Sequence, residues 1–308
     1  MFTAYSGNSA YCYSNSLHMC LQHAGMPHLP QVSLVECMTG MPFGACFLKL
    51  EAPLFFPSPA SIDPDSGLTR ALAILGWTCT VWQGDDADTA LAALQEALST
   101  GPVLLGPLDM GFLPYDPNHA HKRGGDHFIV VLELEADRVQ VHDPQGYPCA
   151  VLPVTDLMRA WSATDLGYAP CAYTLRGGFR EQRRVSHEEM LNDTLRTAQE
   201  VSRTAPTGPV AYGGAAAFTL AAEELHKCSS EAFIALLTHF ALPLGARRCI
   251  DAAGFLTLVG KTTGARLMVD KAEAFGQAQY YAVQRDWYRT IELLGHLAKV
   301  EAKIVQSI

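Results

Sequence analysis

Apolar positions along the first stretch of the chain recur with a helical period. Leu17, Cys20 and Leu21 are spaced for one helix face across residues 12–24, and Gly25 with Pro27 beyond it stops the helix. Residues 26–66 are rich in Pro and Gly and carry only short periodic pieces. Within them, the apolar run 43–56 suits an apolar tunnel or a core layer equally. A helix is predicted over 67–76, and the alternating, β-rich run from Trp77 to Trp82 predicts a strand. Asp85, Asp86 and Asp88 cap a helix predicted over 87–99, which Gly101-Pro102 ends. A short buried strand (102–106) and an irregular stretch (107–126) follow. Strands are then predicted over 127–135 and 138–143, joined by a turn at Ala136-Asp137. The run Phe128-Ile129-Val130-Val131 suits a strand covered on both faces. A further strand over 150–153, a helix over 155–161 and a closing strand over 171–175 complete this part.

The pattern changes after Gly177-Gly178. Helical periodicity covers 187–203, 215–224, 229–240, 246–259, 264–280 and 282–304, with a linker-like loop from Thr204 to Pro209. The expectation is an α+β domain over 1–178 followed by an α-helical domain over 179–308.

Composition narrows the class. The 308 residues are 49% hydrophobic and 17% charged, as in a well-packed globular chain. The net charge is −9, and the basic cluster from Arg180 to Arg184 is interrupted by Glu181 and followed by Glu188-Glu189. Nucleic acid is therefore not an expected partner. The N-terminus has neither a basic start nor an apolar core, and no unbroken apolar run reaches the roughly 18 residues of a membrane span. Nine scattered cysteines, odd in number and without a Cys-x-x-Cys pair, fit a reduced, cytoplasmic chain without a structural zinc.

Three segments carry chemistry. Cys12 opens the first helix, where a sulfur faces backbone N–H groups that the helix leaves unpaired. His127 opens a β-branched strand beside an irregular loop, and Asp143 closes the next strand. Sixteen residues and one hairpin separate them, a spacing that brings the two side by side. A thiol, an imidazole and a carboxylate in that order suit nucleophilic catalysis, in which the imidazole activates the thiol and the carboxylate orients the imidazole. The bland readings are a buried inert thiol, a satisfied core histidine and a turn-forming aspartate before Pro144. The polar, aromatic run Tyr11-Cys12-Tyr13-Ser14-Asn15-Ser16 is poorly suited to a core and favours the chemical reading. His119 and His121, near Asp116 and Asp126, have no fourth ligand at a zinc-like spacing, so no metal is assigned.

These residues resemble the papain-like fold of bacteriocin-processing cysteine peptidases. They resemble still more closely the butirosin-biosynthesis acyltransferase family, the N-terminal domain type of butirosin protein H. Leu113-Pro114-Tyr115 ahead of the histidine and the helical extension add to that likeness. The resemblance implies a papain-like catalytic domain in which Cys12 accepts an acyl group, His127 is general base and acid, and Asp143 orients it. It also implies a thioester donor on the 4'-phosphopantetheine arm of an acyl-carrier or peptidyl-carrier protein, a small amine acceptor, and no bound cofactor. A homodimer is compatible with it, and no membrane partner is expected. Two departures bear on the oxyanion donor. Tyr11 stands where the family often has histidine, and Ser6 stands where related peptidases place glutamine. Asn8, Asn15 or the Cys12 backbone N–H remain as donors, and Tyr115 as a pocket residue. The competing readings are a peptidase or amidase, and an inactive scaffold that binds a carrier protein.

Overall fold

The computed structural model describes residues 2–7, 9–162, 164, 166–227 and 230–308. The chain divides into two compact units, and the division is not a single cut. One unit comprises Met1–Val32 and Leu75–Arg184; the other comprises Ser33–Ile74 and Val185–Ile308.

In chain order the elements begin with α1 (Cys12–His23), α2 (Val32–Thr39), β1 (Cys46–Leu48), β2 (Leu54–Phe56) and α3 (Pro64–Leu75). Next come β3 (Trp77–Gly84), α4 (Ala87–Leu98), β4 (Val103–Asp109), β5 (Asp126–Leu134), β6 (Arg138–Asp143) and β7 (Tyr147–Pro153). After α5 (Val154–Trp161) and β8 (Tyr173–Glu181) the chain runs through α6 (His187–Arg203), β9 (Ala211–Gly213) and α7 (Ala215–His226). It ends with α8 (Glu231–Leu236), α9 (Leu242–Leu258), α10 (Thr262–Val283) and α11 (Trp287–Ser307).

Among the described residues of the first unit, an antiparallel sheet has the strand order β3-β8-β4-β5-β6-β7. The central strands β4 and β5 are apolar on both faces because helices cover both. Phe128, Ile129, Val130 and Val131 are all fully buried. Alternate residues of β5 (Ile129, Val131) join Leu94 of α4 and Trp161 of α5 in one core cluster. The opposite face meets α1, where Tyr13 packs edge-on against Phe128 at 5.9 Å and Ser16 donates to the Phe128 carbonyl. As the aspartate run predicts, Asp86 caps α4 through the Thr89 N–H.

The second unit pairs a small antiparallel sheet, β2-β1-β9, with the helices α6–α11. The expected boundary at 178/179 is corrected here in two ways. Gly177 and Gly178 lie inside β8, where a side chain on Gly177 would meet Ala97 of α4 at 3.2 Å, so one strand runs through the expected boundary. Residues 33–74 belong to the second unit because their aromatic side chains pack there. Phe43 meets Phe255, Phe47 meets Phe233, and Phe55 meets Phe218, with ring centroids at 6.1, 6.3 and 5.3 Å. The apolar run 43–56 is thus a core layer, not an apolar tunnel. Residues 231–258 form one continuous helical stretch, with mean hydropathy 1.3 over its most apolar window, that is long and apolar enough to cross a membrane, and half of that window is buried within the protein. An average tolerates polar interruptions that an unbroken run does not.

Candidate active site

The start of α1 is set by a backbone feature that the sequence does not advertise. Tyr11 precedes the helix in the left-handed region, with φ 54° and ψ 51° and no side-chain cap of its own. A bulky residue there costs of order 1 kcal/mol, so something must hold it. Asn15, fully buried one turn later, holds it: its amide nitrogen donates to the carbonyls of Ala10 (2.7 Å) and Tyr11 (3.1 Å). The Ser6 hydroxyl donates to the Asn15 amide oxygen at 2.9 Å. This clamp delivers Cys12 as the first residue of the helix, half-buried, with a backbone N–H for which the helix ladder has no acceptor.

His127 enters from β5 and Asp143 from the end of β6. His127 Nε2 donates to Asp143 Oδ1 at 2.7 Å, and both side chains are almost fully buried. The Cys12 side chain lies close enough to the imidazole to act on it as a hydrogen-bond and charge partner. Burial opposes a charge on His127, but the Asp143 carboxylate and the Cys12 sulfur outweigh it and push the imidazole up to about 10. Burial likewise pushes the Asp143 carboxyl up, yet the His127 charge, the Gln145 N–H and the Tyr115 hydroxyl together hold it below its ordinary value. The arrangement stabilises an imidazolium between a carboxylate and a sulfur. The neutral ring becomes that imidazolium by taking the thiol proton, and the imidazolium can return the proton to a leaving group.

Residues 11–144 match the family described as Butirosin biosynthesis protein H, N-terminal, and residues 208–308 match the YobF C-terminal domain. The protein YobF of Bacillus subtilis (strain 168), itself described as uncharacterized, is 32% identical over 302 residues, 96% of this chain and 95% of the relative. The chain belongs to the family of this YobF protein. The butirosin protein H match opens one residue before Cys12 and closes one residue after Asp143, so it spans the whole constellation.

Within this family member, the residues expected as oxyanion donors or pocket lining take other places. Both Asn15 amide hydrogens are spent on the Ala10 and Tyr11 carbonyls, which corrects the expectation that Asn15 donates to an oxyanion. Asn8 lies outside the described residues. Tyr115 is partly buried beside the acid and donates to Asp143 Oδ2 at 2.9 Å, so its hydroxyl is engaged by the carboxylate. Of the expected donors within the described residues, the Cys12 backbone N–H keeps the geometry of one.

Sequence reasoning missed the groups around the acid. Tyr5 donates to the Asp143 carbonyl at 2.9 Å and accepts from the Gly146 N–H at the same distance. Lys122 bridges Asp116 (2.7 Å) and the side chain of Gln145 (2.8 Å), and Tyr147 donates to Asp116. The one local signal is Asp143-Pro144-Gln145-Gly146, a turn sequence in which Gln145 N–H returns to Asp143 Oδ1 at 2.7 Å. Asp143 is therefore both the turn-former and the histidine's partner. His119 Nδ1 bonds the Asp116 carbonyl, and among the described residues no three His, Cys, Asp or Glu side chains are grouped to hold a metal ion.

Proposed function

We propose that the protein is a cysteine-dependent acyltransferase of natural-product biosynthesis. The observation that carries this reading is the Cys12–His127–Asp143 constellation, with a half-buried sulfur at a helix start and a buried imidazole–carboxylate pair behind it. The match to the butirosin protein H type supports transfer over hydrolysis and points to antibiotic biosynthesis as the setting. Cys12 attacks a thioester carried on the 4'-phosphopantetheine arm of a carrier protein, His127 relays the proton, and the pantetheine thiol leaves. A small amine then attacks the Cys12 acyl-enzyme, and its proton passes to His127 as the cysteine sulfur is released. Asp143 keeps the imidazole oriented, and the Cys12 N–H stabilises the tetrahedral oxyanion. No cofactor is required for these steps, and the setting is the cytoplasm.

Intact-protein mass spectrometry after incubation with acyl-pantetheine thioesters tests this. A mass increase equal to the acyl group, absent in Cys12→Ala and discharged faster by added amine than by water, is expected. Failure to form any Cys12-dependent adduct overturns the reading. Discharge by water alone at the same rate replaces transferase with hydrolase.

A further inference from the structure

Asp143 Oδ1 already accepts two hydrogen bonds, from His127 Nε2 and from the Gln145 N–H. The second oxygen, Oδ2, accepts from the Tyr115 hydroxyl at 2.9 Å. The groups facing Asp143 come from several elements: His127 on β5, Tyr115 in the loop after β4, Tyr5 in the N-terminal segment, and Tyr147 on β7. Cys12 lies beyond the imidazole, and the Asp116–Lys122 ion pair lies behind Tyr147. Burial and the Asp143 charge keep the Tyr115 hydroxyl protonated, so it acts as a donor and never as a competing base.

We propose that Tyr115 is a positioning residue whose hydroxyl keeps Asp143 ionised and fixes the face it turns to His127. The proposal rests on reading Cys12, His127 and Asp143 as one reacting unit. Without the hydroxyl, Oδ2 is a buried carboxylate oxygen stripped of its donor. That oxygen then takes up a proton more readily, and a protonated Asp143 no longer supports the imidazolium beside Cys12. Removing the donor therefore raises the pH at which the unit fails on the acid side.

The test uses Tyr115→Phe in the full chain and reads the rate at which iodoacetamide alkylates Cys12, followed by peptide mass spectrometry across the pH range in which the protein stays folded. This readout needs no knowledge of the acyl donor. The acid limb of Cys12 alkylation is expected to move up by about one pH unit, the size of effect one donor has on a buried carboxylate. The shift is expected to vanish when Tyr115→Phe is made in an Asp143→Asn background, which has no carboxylate left to titrate. Tyr168→Phe, which removes a tyrosine–aspartate bond to Asp126 on the same strand as His127, serves as the control and leaves the limb in place. A 13C titration of the Asp143 carboxyl gives the same answer directly if the rate profile is truncated by unfolding. A Tyr115→Phe profile that superimposes on the wild type, or falls equally at every pH, overturns the proposal. If the limb moves as expected but no thioester acylates Cys12, the acyl-transfer reading falls while the role of Tyr115 stands.

Discussion

Each unit of the molecule buries an ion pair of similar length, and the two pairs do different things. In the first, His127 and Asp143 meet at 2.7 Å; in the second, Lys271 and Glu301 meet at 2.6 Å. Lys271 is closed in: its ammonium lies 5.5 and 5.9 Å from the rings of Phe218 and Phe275, and its partners are all interior. His127 instead lies beside a cysteine that is not fully buried. A buried charge pair is therefore an architectural feature until one member lies beside an accessible nucleophile.

Breaking each pair should separate the two roles. The largest effect is expected from His127→Ala, which should lower Cys12-dependent acyl transfer by roughly 10⁴-fold or more with the protein still folded. The matching change in the second unit, Lys271→Ala, should act on stability instead. It leaves Glu301 charged and buried without a partner, and urea unfolding should show a loss of about 3–5 kcal/mol. Replacing both members, Lys271→Met with Glu301→Leu, should recover most of that loss. If the single change costs no more than the double, the pair is not a buried charge problem.

The pairs should also part on alkaline titration. His127 is raised from 6.5 to about 10, so its contribution to stability is full below pH 6.5 and is lost as pH rises through about 10. Lys271 is raised from 10.5, so its contribution persists to that pH and is lost only above it. Melts of wild type, His127→Gln and Lys271→Met across this range should show the His127 advantage fading first. A smaller effect is expected at the clamp. Asn15→Ala removes two side-chain hydrogen bonds beside the strained Tyr11 and should cost about 1–3 kcal/mol, with slower acylation of Cys12 per folded molecule.

Much of the site is legible in the sequence. Cys12, His127 and Asp143 are flagged by local signals: a helix that ends at Gly25 and Pro27, a β-branched run after His127, and a turn after Asp143. Helix α6 matches its predicted span, and the aspartate cap of α4 is readable from Asp86. What is not legible depends on contacts distant in sequence. Residues 33–74 join the second unit through Phe43, Phe47 and Phe55, whose partners are more than 150 residues away. Strand β9 has three residues and pairs with Cys46–Leu48, so nothing local marks it. Asn15 and Tyr115 stand out as polar groups near the site, but their acceptors decide their roles, and spacing does not reveal acceptors.

The central claim is that His127 makes Cys12 reactive, and competition between two cysteines tests it most directly. Cys149 is exposed whereas Cys12 is only partly so, and exposure alone therefore favours Cys149. Limited iodoacetamide labelling of the native protein at mildly acidic pH, with peptide mapping, should show Cys12 alkylated faster than Cys149 by roughly tenfold or more, with the order reversed in His127→Ala. Faster labelling of Cys149 in the wild type, or an order that His127→Ala leaves unchanged, would contradict the account.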